Sequence, residues 1–169
     1  MHTYDLLYVY DLDGTLIIQE DVKTAMTAFR RRYGYLPKGN WLMTPESLRD
    51  VKLNPIMSEV IAQSNSLQGL DDHVARVCVI SNRSETMLGP IMRLMQRLNI
   101  KVDDYLLKPS AQGSPLMSKS ARLRREMDRF NFNMVYVYDD DIRSINDFES
   151  IRPYMQSLTS DYTVVHVSD

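Results

Sequence analysis

The sequence predicts an α/β fold, with a mostly parallel sheet carrying helices on both faces. Three observations predict it. Apolar runs at Tyr4–Tyr10, Val74–Ile80 and Met134–Tyr138 read as strands buried on both faces. Helix-period segments separate these runs, which makes successive strands parallel. Each run then stops abruptly at polar or acidic residues, as strands do at the ligand-binding edge of such sheets.

The first run closes on Asp11, Leu12, Asp13, Gly14 and Thr15. Asp21–Arg32 follows as a helix, because Val22, Ala25, Met26 and Phe29 recur at spacings of three and four. Asp21 or Glu20 at its start suits the helix dipole. Gly34, Pro37 and Gly39 break the pattern. Pro45–Asp50 offers a short helical stretch, and Pro55–Ser64 a second helix led by Ile56, Val60 and Ile61. Residues 15–73 thus read as a small, mainly helical, cap-like insertion within a single domain spanning 1–169.

The second strand, Val74–Ile80, gives way to Ser81, Asn82 and Arg83. Ser84 suits the cap of a helix carrying Met87, Ile91, Leu94 and Leu98 on one face. Val102–Leu107 reads as a short third strand and Lys108–Pro115 as a flexible connection. Leu123 and Met127 anchor a charged helix, Ser118–Phe130. The strand Met134–Tyr138 stops at Asp139, Asp140 and Asp141, and a short helix, Ile142–Ser150, and a strand, Tyr162–Val167, follow.

A chain of 169 residues can bury a sizeable core, and its net charge of −2 gives no sign of a general polyanion binder. The single cysteine, Cys78, sits inside VARVCVI and reads as a packed thiol, so a cytoplasmic or other reducing compartment is expected. No stretch has the length and apolarity of a membrane span, so no membrane partner is expected. His2, His73 and His166 lack close metal-ligand spacing, and no Gly-rich loop ends in Lys-Ser/Thr.

Parallel strands leave their carboxyl ends on one edge, so Asp11/Asp13, Ser81/Asn82 and Asp139/Asp140 can meet in one pocket. Several carboxylates repel a phosphate ester unless a divalent cation intervenes. Mg²⁺ takes oxygen ligands octahedrally, which nominates Asp11, Asp13, Asp139 and Asp140, with Asp13 offering its backbone carbonyl. Asp11 is placed to attack phosphorus and form an aspartyl-phosphate. Asp13 can protonate the leaving oxygen and then deprotonate the hydrolytic water. Gly14 permits a tight turn that Thr15 can fix by a hydrogen bond. Ser81 and nearby N–H groups can hold phosphoryl oxygens, with Asn82 and Arg83 alongside. Lys108 and Lys119 compete for the remaining positive charge, and spacing does not choose between them.

These residues resemble the haloacid dehalogenase (HAD) superfamily. DLDGT at 11–15 matches its first motif, with the second aspartate of its phosphatases; Ser81 matches the second motif and Asp139-Asp140 the fourth. The resemblance implies a Rossmann-like sheet and Mg²⁺-dependent phosphoryl transfer, with Asp11 as nucleophile, Asp140 as metal ligand and Asp139 supporting the metal through water. The chain is also similar to the Swiss Army Knife RNA repair-like branch, akin to polynucleotide phosphatase domains. NWLMTPESL at 40–48 resembles its tryptophan segment, and DYLLKP at 104–109 its strand ending in Leu-Lys-Pro. That alignment makes Lys119 the third-motif lysine. The fourth motif departs from the branch's Asp-Asp-Arg: Asp141 stands in the arginine's place, and Arg143 lies two residues on.

The resemblance thus implies a Mg²⁺-dependent phosphatase for a phosphomonoester, such as a terminal phosphate of RNA or DNA, working with protein partners in a repair or processing pathway. A nucleotide or small-metabolite phosphatase is the alternative within that chemistry, and a non-enzymatic binding or assembly protein the alternative outside it. Arg30–Arg32 and Arg122, Arg124, Arg125 and Arg129 form basic runs that can follow a nucleic-acid backbone, and Trp41, near Tyr33 and Tyr35, can stack on a base. The plainer reading of each is a solvated helix face or a core anchor.

Overall fold

Alternation along the first strand sets the layers of the molecule. In the computed structural model, which describes residues 1–110 and 117–168, Leu6, Tyr8 and Tyr10 point into one apolar cluster and Leu7 and Val9 into another. A strand with period two and no polar face has to be covered on both sides. The elements in chain order are β1 (Thr3–Asp11), α1 (Val22–Tyr33), α2 (Ser58–Gln68), β2 (Ala75–Ser84), α3 (Leu88–Arg97), β3 (Asp104–Lys108), α4 (Lys119–Arg129), β4 (Asn131–Asp139), α5 (Ile142–Ser150), α6 (Arg152–Leu158) and β5 (Asp161–His166).

The five strands run in the order β3-β2-β1-β4-β5, and every pair is parallel. This is a Rossmann-like α/β sheet. Ile61 of α2 and Ile91, Leu94 and Met95 of α3 close the Tyr8 face. Leu123 and Met127 of α4, Phe148 of α5 and Met155 of α6 close the Val9 face. β1 lies between β2 and β4, so the connections leave it in opposite directions and a crevice opens at its carboxyl end.

Local signals explain most boundaries. The Asp21 carboxylate accepts from the Thr24 N–H at 3.0 Å to start α1, and Gly34 ends it at φ 81°, where a side chain is strained. Between α1 and α2 the chain makes tight 3₁₀ turns at Trp41–Met43, Pro45–Leu48 and Pro55–Met57. The stretches from Pro45 and Pro55 that read as helical therefore begin as 3₁₀ turns, and only the second continues into an α-helix. α6 has no counterpart among the elements expected from the sequence. Its Pro153 lies in the first turn, where proline starts a helix rather than breaking one. Of the connection expected over Lys108–Pro115, residues 111–115 lie outside those described.

The sheet carries one irregularity, at the carboxyl end of β2. The β2–β3 ladder pairs Ile80 with Leu106 and then jumps to Ser84 with Lys108, so residues 81–83 face the single residue Leu107. Such a bulge bends a strand and re-aims its side chains. Among the described residues, no helix is long and apolar enough to cross a membrane.

Candidate active site

Strand parity brings the acidic groups together. Asp11 continues the Leu7–Val9 face of β1, and Asp139 continues the Val135–Val137 face of β4. Tyr10 pairs with Tyr138, so the two carboxylates are neighbours across the ladder. Both point toward α4, whose first residue is Lys119. Its ammonium donates to Asp11 Oδ1 at 2.9 Å and to Asp139 Oδ2 at 2.7 Å, and all three groups are buried. The start of α4 is itself fixed. Ser118 caps it through the Ala121 N–H, and Ser120 donates from N–H and hydroxyl to the two oxygens of Asp147 on α5, each at 2.8 Å.

The loop after β1 supplies the rest. Gly14 adopts φ 83° and donates its N–H to the Ile17 carbonyl at 2.9 Å. The Thr15 hydroxyl lies 3.1 Å from Asp11 Oδ2 and 3.2 Å from Asp140 Oδ1, bridging β1 and the end of β4. Asp11, Asp139 and Asp140 each offer an oxygen, all within 4.8 Å of one another. Three hard oxygen donors at this spacing fit a cation such as Mg²⁺. Asp139 accepts the Lys119 ammonium on one oxygen and the Asp141 N–H on the other, at 2.9 Å. Asp11 likewise meets Lys119 at one oxygen and the Thr15 hydroxyl at the other, so Asp140, whose side chain meets only that hydroxyl among the described residues, is the freest of the three to bind a cation directly.

Burial pushes the Asp11 carboxyl well above the usual carboxylate range; Lys119 opposes the shift, and Asp139 adds to it. Asp139 is raised for the same first reason, with Lys119 again the main opposing group. Burial alone lowers an ammonium, yet Asp11 and Asp139 outweigh it and hold Lys119 above its ordinary value. A cluster so rich in buried carboxylate is stabilised by a bound cation.

Asp13 takes a different partner. Arg83 forks onto it, Nε to Oδ2 at 2.9 Å and Nη2 to Oδ1 at 2.8 Å, so its carboxylate stands apart from the group of three. The same guanidinium donates to the Leu42 carbonyl at 2.9 Å and to Ser47 Oγ at 2.7 Å, tying the strand end to the segment between α1 and α2. Ser81 is buried, and its hydroxyl accepts the Arg83 N–H at 3.0 Å. Asn82 is exposed, with its carbonyl oxygen accepting from Arg122 Nη2 at 2.6 Å.

Of the two competing lysines, Lys119 meets Asp11, whereas Lys108 is exposed on the cavity wall. Asp11, Asp13, Ser81, Asn82, Arg83, Lys108, Lys119 and Asp140 line one open cavity of about 610 Å³; Thr15 and Asp139 are fully buried. The acid in the arginine's place, Asp141, turns to Arg143 at 2.9 Å and caps α5, and that pairing lowers its pKa.

Arg122 is the residue that sequence reasoning missed. It is 4% exposed and donates to the Ser81 carbonyl at 2.7 Å, the Leu106 carbonyl at 2.8 Å and Asn82, so it fills the gap left by the β2–β3 bulge. Its signal was the spacing 119-122-126, which puts it on the inward face of α4 with Lys119. Other arginines of the basic runs serve the fold. Arg32 pairs with Asp50, Arg129 with Asp104, and Arg124 lies over the Tyr154 ring. Trp41 is buried edge-on to Phe29 with ring centroids 5.4 Å apart.

The architecture has counterparts among solved structures. The HAD domain of effector protein Lem4 from Legionella pneumophila superposes with a TM-score of 0.59 at 11% identity, over 98% of this chain and 86% of that one. This chain has the HAD fold. A second L. pneumophila effector, Ceg4, matches with a TM-score of 0.53 at 11% identity, over 97% of this chain and 88% of its own. A chain of the Pnkp1/Rnl/Hen1 RNA repair complex matches with a TM-score of 0.55 at 15% identity, covering 97% of this chain. The HAD-fold chain spans under half of that repair protein, 42% of its length. No family model and no curated protein matches the sequence.

Proposed function

We propose that this chain is a Mg²⁺-dependent phosphatase that hydrolyses a phosphomonoester through a phosphorylated Asp11. The observation that carries this reading is the buried Asp11 held by Lys119, with Asp139 and Asp140 within metal-ligand reach. Bound there, Mg²⁺ offsets the negative charge that the carboxylates present to a phosphate. Lys119 keeps one Asp11 oxygen oriented while the other faces the loop. An Asp11 oxygen attacks phosphorus, the ester P–O bond breaks, and the departing alkoxide takes a proton from Asp13. Water then gives its proton to Asp13 and attacks the same phosphorus; the P–O bond to Asp11 breaks, releasing inorganic phosphate. Arg83 holds Asp13 at the cavity wall, and one arm of its fork has to open for an Asp13 oxygen to carry the proton in each transfer. Ser81 and the N–H groups of the bulge offer donors for the phosphoryl oxygens.

The substrate we favour is a terminal phosphate of RNA or DNA, with protein partners in a repair or processing pathway. The sequence similarity to the RNA repair-like branch and the match to a repair-complex chain support it. One observation favours a nucleotide or other small ester instead. Arg122 of the basic runs is buried and Arg32 and Arg129 pair with acids of this chain, and Asp11, Asp13, Asp140 and Asp141 face the cavity beside Arg83, Lys108 and Lys119. Phosphate release with Mg²⁺ tests the reading, using 5′- and 3′-phosphorylated oligonucleotides, mononucleotides and p-nitrophenyl phosphate, with Asp11→Asn as control. Asp11-dependent turnover of an oligonucleotide end supports the repair reading, and turnover of small esters alone moves the substrate to metabolites. Release that ignores Asp11→Asn refutes a phosphorylated Asp11, and no release from folded protein refutes the phosphatase and leaves a binding or assembly role.

A further inference from the structure

A second cavity, of about 420 Å³, lies between α1 and the turns at Trp41–Leu48. It shares Asp13, Gln19, Leu42 and Arg83 with the catalytic cavity, so the two meet at the Asp13–Arg83 fork. We propose that this second cavity is the leaving-group site and that it takes an uncharged planar ring carried on the alcohol of the substrate. The proposal rests on the phosphatase reading for the direction in which the substrate lies.

In-line attack by Asp11 sets the leaving oxygen on the far side of phosphorus from it, and Asp13 is the group that protonates that oxygen. What the oxygen carries therefore extends past Asp13, into the second cavity. Its walls suit a ring. α1 presents Val22, Ala25 and Phe29 at spacings of three and four, and Trp41 meets Phe29 edge-on at 5.4 Å. A flat ring entering there gains apolar contact and offset or edge-on packing with little loss of its own freedom. The volume lies within the range of small-molecule sites.

Charge narrows the occupant further. Asp13, Glu20, Glu46 and Asp50 line the cavity against Arg32, Lys52 and Arg83; with Arg83 forked onto Asp13 and Arg32 held by Asp50 at 3.0 Å, Glu20 and Glu46 stand against Lys52. A second phosphate placed here meets more acid than base. The occupant is thus a ring that brings no phosphate into this cavity, either the base of a nucleotide, free or at the end of a strand, or the ring of an aryl phosphate. Both present the same planar apolar face.

Trp41 is the only tryptophan of the chain and lines the cavity, so its fluorescence reports occupancy directly. The full chain carrying Asp11→Asn, with Mg²⁺, is titrated with phenyl phosphate, adenosine and uridine monophosphates, adenosine diphosphate and glycerol phosphate. We expect saturable changes with the ring-bearing monophosphates, at least tenfold weaker binding of the diphosphate, and no change with glycerol phosphate. Tighter binding of phenyl phosphate or of the nucleotides identifies which ring the site prefers. Ala25→Phe, and separately Ala28→Phe at an exposed position tolerant of bulk, fill the cavity. Each should weaken ring binding at least tenfold. In the Asp11 background, turnover of ring-bearing esters should fall to match, and at least fivefold more than turnover of glycerol phosphate falls. Ring ligands that bind no tighter than glycerol phosphate, or affinities unmoved in folded cavity-filling variants, overturn the proposal. Ring binding without any phosphate release supports the cavity and removes the phosphatase. Release that is equally fast with and without a ring, and blind to cavity filling, does the reverse.

Discussion

Replacing Lys119 with methionine tests the electrostatics of the site without relying on any substrate. Methionine keeps most of the volume and the apolar stem, so the change removes charge from a buried position. Lys119 is the ammonium shared by Asp11 and Asp139, at 2.9 and 2.7 Å. Removing one partner from a buried ion pair costs about 3–5 kcal/mol. Two carboxylates are orphaned here, but each can shed its charge by protonation, which keeps the total near the low end, about 3 kcal/mol at neutral pH. For a chain of this size that corresponds to roughly 6–12 °C in Tm.

The pH dependence is the sharper signature. Asp11 and Asp139 already sit above the ordinary carboxylate range, and Lys119 is the main group opposing that rise in both. A raised folded-state pKa contributes stability below the unfolded value, near 4, that is lost as pH climbs through the folded value. Without Lys119 both pKa values rise further, so the variant suffers little near pH 5 and most above neutrality. Urea unfolding in EDTA, followed by circular dichroism, should show a deficit at pH 7.5 exceeding that at pH 5 by at least about 1.4 kcal/mol, one pKa unit. Mg²⁺ should narrow the gap at pH 7.5. A deficit equal at both values, or larger at pH 5, refutes the view that unpaired carboxylate charge governs this cluster.

Other perturbations separate the roles of neighbouring residues. Asp140→Asn should weaken Mg²⁺-dependent thermal stabilisation at least tenfold in apparent affinity while leaving stability in EDTA nearly unchanged. Asp139→Asn should do the opposite, since its oxygens serve Lys119 and the Asp141 N–H. Gly14→Ala forces a side chain onto φ 83° and brings its Cβ to 2.6 Å from Asp140 Cγ; we expect a loss of about 2 kcal/mol in urea unfolding, and a weaker Mg²⁺ response because Asp140 must move. Arg122→Met leaves the Ser81 and Leu106 carbonyls without their donor. At about 1–3 kcal/mol for a buried acceptor left unpaired, the cost should reach about 3 kcal/mol. Hydrogen exchange should rise first at the β2–β3 bulge; protection unchanged there would show that the guanidinium does not brace it.

How much of this was legible depended on whether a feature is local. The strand Tyr4–Tyr10 and the stop at Gly34 follow from short-range sterics and are visible in the chain, while Asp21, read as a charge suited to the helix dipole, is the cap that accepts the Thr24 N–H. Cys78 is buried, as a thiol inside an apolar strand should be. The clustering of Asp11 with Asp139 and Asp140 could be read because parallel strands share an edge. The choice of Lys119 over Lys108 could not be read from spacing, since it depends on where α4 docks; the family resemblance favoured it. Arg83 and Arg122 were the hardest. Arg83 was read as a pocket cation and Arg122 as part of a solvated basic run, and both are buried because their acceptors, on the Leu42–Ser47 segment and on the β2–β3 bulge, come from distant parts of the chain. α6 was lost to a different cause, a proline that marks a helix start when it falls in the first turn.

Arg83 also ties the segment between α1 and α2 to Asp13, which gives that segment a part in the proposed chemistry. A guanidinium has five N–H donors in one rigid plane. Here that plane holds both oxygens of Asp13 on one side and the Leu42 carbonyl and Ser47 hydroxyl on the other. Because the plane does not flex, a shift of the Trp41–Leu48 turns has to move Asp13 or break a buried hydrogen bond. Breaking it costs more than an exposed contact would, since Arg83 has little water to turn to at 7% exposure. A ligand that packs against Trp41 therefore presses on the same turns that set the position of the proton donor. On the proposed mechanism, leaving-group recognition and proton delivery would be mechanically one unit, joined through a single side chain.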